Sequence, residues 1–143
     1  MGFKNEILIK DKKSIDWLKE KVVYAIACDS AQKLGEDCVK NGTIAYIGYK
    51  LPFMILSNRN KSFKPLNDEL VKPVMEASNE VVITLLKNNS VHEAYSRSQI
   101  KFDQEIKRHQ RADAPPDAQN LIPVLLWNKM AQTYHGDAEY ILV

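Results

Sequence analysis

The stretch Val22-Val23-Tyr24-Ala25-Ile26-Ala27-Cys28-Asp29-Ser30-Ala31 decides how this chain folds. Its first six residues are apolar and rich in β-branched types, with no polar alternation. Such a run fits a strand covered on both faces, as in the middle of a parallel sheet. Asp29 and Ser30 are both good helix N-cap types, and Ala31, Leu34 and Cys38 then fall at i, i+3 and i+7. That spacing draws one apolar stripe along a helix over 30–40. Asn41-Gly42 supplies residues that tolerate a left-handed helix end, and Thr43-Ile44-Ala45-Tyr46-Ile47-Gly48 reads as a second buried strand. Strand, helix and strand with short loops make a βαβ unit, whose crossover is expected to be right-handed.

Outward from that unit the pattern changes. Upstream, Glu6-Ile7-Leu8-Ile9-Lys10 is a short strand candidate, and Ser14 can cap a short helix reaching Glu20, with Ile15 and Leu18 on one face. Downstream, a loop holds Pro52, Ser57-Asn58-Arg59-Asn60 and Pro65. Over 66–87, two adjacent i, i+4 rows (Leu70, Val74, Val81, Leu85 and Val71, Met75, Val82, Leu86) give a long helix a broad apolar face. Pro73 lies in its early turns or kinks it. Ser90 and Glu93 form a capping-box pattern for a second long helix running to about Gln110. Ala114-Pro115-Pro116-Asp117 is the clearest break. A helix over 118–133 follows, and Tyr140-Ile141-Leu142-Val143 reads as a terminal strand. The expected architecture is an α/β domain spanning 1–143. A short, mostly parallel sheet with flanking helices occupies 1–49, and a helical part with the terminal strand occupies 50–143.

Composition narrows the functional classes. The chain has 143 residues, 45% apolar and 27% charged, with 20 Lys+Arg against 18 Asp+Glu. That balance argues against a dedicated nucleic-acid binder, and the cations of the second long helix (Arg97, Lys101, Lys107, Arg108, Arg111) are interrupted by Asp103 and Glu105. No apolar run approaches the roughly 18 residues that span a bilayer, and the N-terminus lacks the basic and apolar regions of a signal peptide. A cytoplasmic location is therefore expected, with no membrane and no nucleic-acid partner. Cys28 and Cys38 are expected to be reduced. His92, His109 and His135 are scattered and no metal-ligand spacing occurs, so no metal and no cofactor are expected.

Chemistry concentrates at Cys28. Ligands of open α/β sheets gather at the carboxyl ends of strands, and Cys28 reads as the last residue of one, just before a helix N-terminus. The free N–H groups and dipole there favour a thiolate, the form that attacks a carbonyl carbon. The competing reading is a buried cysteine acting as a small hydrophobe. That role fits Cys38, which completes the helix stripe. The loop after the second strand ends at the same sheet edge, so Tyr49, Leu51 and Phe53 are candidates to wall a substrate groove, or else to pack beneath the long loop.

The sequence Ala27-Cys28-Asp29-Ser30-Ala31, then Leu34-Gly35, Asn41-Gly42-Thr43 and Ile44-Ala45-Tyr46-Ile47-Gly48-Tyr49, resembles the nucleophile region of the caspase-like cysteine peptidases of clan CD, closest to the CHAT and gingipain-like branches. Trp127-Asn128, and His135-Gly136-Asp137 before an apolar end, resemble the way such domains finish. The resemblance implies a thiol protease, a hydrolase acting on a peptide or protein substrate, with Cys28 as nucleophile. It also implies a histidine upstream of the cysteine, and none precedes Cys28 here. His135-Gly136 lies on the other side, and His135 reads as structural or exposed. Two expectations fit: the C-terminal part of a longer caspase-like domain, or a degenerate relative. On either, the chain is truncated or inactive as it stands, since a nucleophile without its base loses most of its rate. The alternative is a non-enzymatic regulatory or scaffold domain, for which Trp17 and Trp127 would serve a partner protein or self-association.

Overall fold

The computed structural model describes residues 12–57 and 68–143; the strand expected over 6–10 and the loop residues Asn58, Arg59, Asn60 and Pro65 lie outside the described residues. Helix α1 (Lys12–Asp16) leads through turns into β1 (Val22–Tyr24). Helix α2 (Leu34–Lys40) follows, then β2 (Ala45–Tyr49), α3 (Lys72–Leu86) and α4 (Val91–His109). A 3-10 segment (Pro116–Leu121) runs straight into α5 (Ile122–Ala131), which passes directly into β3 (Gln132–Gly136). The class is mixed α/β.

The sheet has the order β1-β2-β3. Strands β1 and β2 run parallel, with Val22 opposite Ala45 and Tyr24 opposite Ile47, as the βαβ reading requires. The expectation of a mostly parallel sheet is corrected by β3, which pairs antiparallel to β2 over Ala45–Tyr49. The helix expected over 118–133 stops at Ala131 because Gln132 turns extended (ψ 136°). Thr133 and Tyr134 are β-branched and aromatic and suit the pleat. The terminal strand expected at 140–143 reduces to an isolated bridge between Ser90 and Ile141.

Alternation along β2 sorts the core. Ala45 and Ile47 pack with Val81, Leu85, Val91 and Ala94 of α3 and α4, joined by Val22 and Tyr24. On the opposite face Tyr46 packs with Ile15, Ala31 and Cys38, joined by Val23 and Ala25. The unbroken apolar run thus has its physical reason, since each face of the strands meets helices. A third cluster joins Val74 and Ala77 of α3 to Phe102 and Ile106 of α4 and to Leu121, Val124 and Leu125. Pro73 sits in the first turn of α3, where its missing N–H costs nothing, so the helix is not kinked there. Ser90 caps α4 by accepting from the Glu93 N–H at 3.2 Å. The Glu93 carboxylate pairs with Arg97 at 2.6 Å rather than completing the box.

Buried hydroxyls tie α3 to both parallel strands. The Tyr24 hydroxyl donates to the Ser78 carbonyl at 2.6 Å, and the Tyr49 hydroxyl lies 2.6 Å from Ser78 Oγ. Gln132 Nε2 donates to Ser98 Oγ at 2.9 Å and to the Tyr49 hydroxyl at 3.3 Å. Burial pushes the Tyr24 hydroxyl well above the ordinary tyrosine range and raises that of Tyr49 as well.

Two predictions follow from this packing. A Cβ added at Gly136 would stand 2.3 Å from the Ile44 carbonyl oxygen, at a φ of +99°. Gly136→Ala is therefore expected to cost about 2 kcal/mol or more, read as a lower urea midpoint at unchanged slope. Because Tyr24 and Tyr49 hold their protons more tightly folded than unfolded, their contribution is intact below about pH 10 and is lost as pH rises further. Urea midpoints should thus fall above about pH 10, and fall less steeply in Tyr24→Phe.

Candidate functional site

The carboxyl ends of β1 and β2 open onto one rim, built from residues 25–33 and 50–57. The β1 ladder continues one residue past the strand, with the Ala25 N–H donating to the Ile47 carbonyl at 3.0 Å. The chain then leaves the sheet in a reverse turn closed by Ser30 N–H donating to Ala27 O at 3.4 Å. Cys28 occupies a corner of that turn and is exposed, whereas Cys38 is buried. Burial raises the Cys38 thiol above its ordinary pKa, with Asp37 adding to the shift. Asp29 takes a left-handed φ of 54°.

Both expectations for Cys28 are corrected: β1 ends at Tyr24, so the cysteine is not the last residue of a strand, and no helix N-terminus follows it directly. Helix α2 begins at Leu34, with Lys33 as its N-cap and no side-chain cap. Residues between spend their backbone elsewhere: Ala31 N–H donates to Tyr49 O at 3.0 Å, and Gln32 N–H to Asp29 O at 3.2 Å. The loop can lie this close to the sheet because Gly48 has no side chain; a Cβ there would meet Ser30 Oγ at 2.8 Å and Ala31 Cβ at 3.2 Å. Cys28 is set by a turn resting on the strand end, not by a helix dipole.

The far wall of the rim is an extended segment pinned to α5. Lys50 N–H donates to Ala131 O at 2.8 Å, and Trp127 Nε1 donates to Pro52 O at 2.8 Å. Asn128, fully buried, takes both backbone groups of Met54, accepting from its N–H at 2.9 Å and donating to its carbonyl at 2.7 Å. One side-chain amide thus does what a neighbouring strand would do. On the opposite edge Leu51 O lies 3.5 Å from Asp29 N, beside the cysteine. Among the described residues the backbone groups of Phe53 and Ile55 make no hydrogen bond.

Of the residues expected to wall a groove, Tyr49 is fully buried and stacks edge-on with Phe53 at 4.7 Å. Phe53 in turn packs on the α3–α4–α5 core. Tyr49 therefore offers no face to a ligand, and the outward apolar side chains of this rim are Met54, Ile55 and Trp127. Phe53 and Leu56 turn inward onto that core, and the pins to α5 orient the segment between them. The one signal for the pin in the sequence is a lone asparagine inside the apolar run 121–131.

All three histidines are engaged. His92 Nδ1 lies 3.0 Å from the Tyr134 hydroxyl. His109 is buried, with Nδ1 donating to Glu105 O at 2.7 Å. His135, on β3 opposite Tyr46, donates from Nε2 to Ala31 O at 2.7 Å. Among the described residues no hydrogen bond joins any of them to Cys28. No group of three His, Cys, Asp or Glu gathers at metal-binding distance, and no helix is long and apolar enough to cross a membrane, again among the described residues. Comparison with protein-family models, with curated proteins and with solved structures finds no match to this chain.

Asn128→Ala removes both bonds to Met54 from a buried site. It is expected to cost about 1–3 kcal/mol and to speed amide exchange at Met54 while leaving Val22–Tyr24 protected as before.

Proposed function

We propose that this chain carries the nucleophile of a caspase-like cysteine peptidase domain, with Cys28 attacking a peptide carbonyl, and that its own three histidines do not complete the reaction. One observation carries this reading: an exposed thiol on a turn four residues past the carboxyl end of a parallel strand, beside a pinned extended segment with a free backbone edge. That is the position where α/β sheets collect ligands. An extended peptide can pair with the free groups of Phe53 and Ile55, and the exposed Met54, Ile55 and Trp127 favour apolar side chains on it.

In that pose the Cys28 thiolate adds to the carbonyl carbon, the carbonyl oxygen takes the negative charge, and collapse expels the amine as the thioester forms. The amine leaves only once protonated, and water must then be deprotonated to release the acid. Both transfers need a base near Cys28, which would be a group other than His92, His109 or His135. The chain alone is thus competent for attack on an electrophile that needs no protonated leaving group, and poor in turnover. The second reading, a non-enzymatic regulatory or scaffold domain derived from a peptidase, is favoured by one fact: every histidine is already bonded elsewhere.

A peptidyl acyloxymethyl ketone with apolar residues, compared with iodoacetamide, separates the two. The expected result is labelling of Cys28 that saturates with the peptidyl reagent and is competed by the parent peptide, with peptide-amide hydrolysis at background. Labelling by both reagents at rates linear in concentration and unmoved by competitor would mean a merely exposed thiol and would remove the peptidase reading.

A further inference from the structure

The break at Ala114-Pro115-Pro116-Asp117 borders open space rather than filling it. After α4 the chain turns twice, with Ala114 N–H donating to Arg111 O at 3.0 Å and Ala118 N–H to Pro115 O at 2.9 Å. Pro115 holds an extended backbone between those turns (φ −55°, ψ 146°), so the 3-10 segment starts on a new course. Alanine at 114 and 118 leaves open what a larger side chain would fill. The result is a cavity of about 450 Å³ between this break, the end of α4 and residues 68–70 ahead of α3. That volume lies within the range of small-molecule sites. The cavity shares no lining residue with the rim around Cys28.

His109, the last residue of α4, stands in the cavity wall and is only 7% exposed. Its Nδ1 lies 2.7 Å from Glu105 O, a carbonyl that can only accept. The ring proton is therefore on Nδ1, and Nε2 of the neutral imidazole keeps its lone pair. Among the described residues no group donates to Nε2, and that atom is not sealed in the interior. An acceptor neither bonded nor sealed opens on the cavity that its residue lines. Its partner in a complex is a hydrogen-bond donor.

The charges around the ring narrow the class of that donor. Asp68 is buried, with Oδ1 accepting from the Leu70 N–H at 3.0 Å. Arg108 reaches Glu105 Oε2 at 3.0 Å, and Arg111 Nε lies 3.4 Å from Asp113 Oδ1. Both signs of charge thus stand around one opening, and each guanidinium has a carboxylate of its own. A phosphate would meet Asp68 and Asp113 there, and an alkylammonium would meet Arg108 and Arg111. A hydroxyl donates and accepts without carrying charge, so a ring of hydroxyls suits such a wall. Its C–H faces suit Leu70, Ala114 and Pro115. We infer that this cavity binds a neutral polyhydroxylated small molecule, a sugar or a cyclic polyol, one hydroxyl of which donates to His109 Nε2. The inference is independent of Cys28 and stands or falls apart from the peptidase reading.

Titration of the 143-residue chain with D-glucose, maltose and myo-inositol tests it, followed by NMR of the imidazole nitrogens and backbone amides. The expected result is a saturable shift at His109 Nε2 and at the amides of Leu70, Ala114 and Ala118, with His92 and His135 unmoved. At least one of the three should bind with a dissociation constant of about 1 mM or tighter. Saturation by any of them supports the proposal, and which one saturates separates a sugar from a cyclic polyol. His109→Phe removes the acceptor, and Ala118→Phe fills the cavity; each is expected to weaken binding about tenfold or more. Ala118→Phe alters no buried polar group, so the test survives if His109→Phe fails to fold. No saturation by any of the three at about 50 mM would overturn the proposal. So would binding indifferent to both substitutions, or saturation by sodium phosphate or spermidine with all three hydroxylated rings silent.

Discussion

The hydroxyl oxygens gathered at Ser78 hold the molecule in register. A parallel strand pair has no hairpin to fix its alignment, so β1 and β2 depend on what packs above them. Tyr24 and Tyr49 reach from the two strands to the backbone and side chain of one α3 residue, and Gln132 brings β3 and Ser98 of α4 into the same group. Shifting either strand by one residue would turn its tyrosine to the other face and leave buried polar atoms unpaired. Three strands and two helices thus agree on one alignment through a few buried bonds.

The rim inherits its shape from that alignment. Ala31 and Lys50 are tied by backbone bonds to Tyr49 and Ala131, the last residues of β2 and α5. The cysteine turn and the extended segment are therefore positioned by the ends of rigid elements. Burial separates the two thiols: Cys38 serves the sheet's α2 face, while Cys28 stands in solvent. The cations of α4 are also largely spent locally, Arg97 on Glu93 and both Lys101 and Arg108 on Glu105.

Part of the fold was legible because apolar, β-branched runs mark strands: β1 and β2 fall on the runs 22–27 and 43–48, although β1 stops at Tyr24 and Ala27 is exposed, and Ser90 announces a helix start. What stayed hidden depended on long-range contact. The apolar stripe at Ala31, Leu34 and Cys38 is real, but the first turn of the expected helix is drawn onto Gly48 and Tyr49, where its backbone finds better partners. Strand β3 was hidden because Gln132 and His135 are poor strand formers that find partners in Ser98 and Ala31. That Cys28 lies on the rim beyond the first strand was readable, but not that the strand stops at Tyr24; nor was the inward turn of Tyr49 and Phe53, since the segment is held by Asn128, seventy-four residues after Met54.

That asparagine also governs how the molecule comes apart. Segment 51–57 has no strand beside it on the α5 side, and its attachment there runs through Trp127 and Asn128 of one helix. Phe53 and Leu56 also pack on the core that α5 shares with α3 and α4, so the segment is held at several points at once rather than one residue at a time like an ordinary surface loop. Loosening of that helix is consequently expected to carry with it the wall of the rim that faces Cys28.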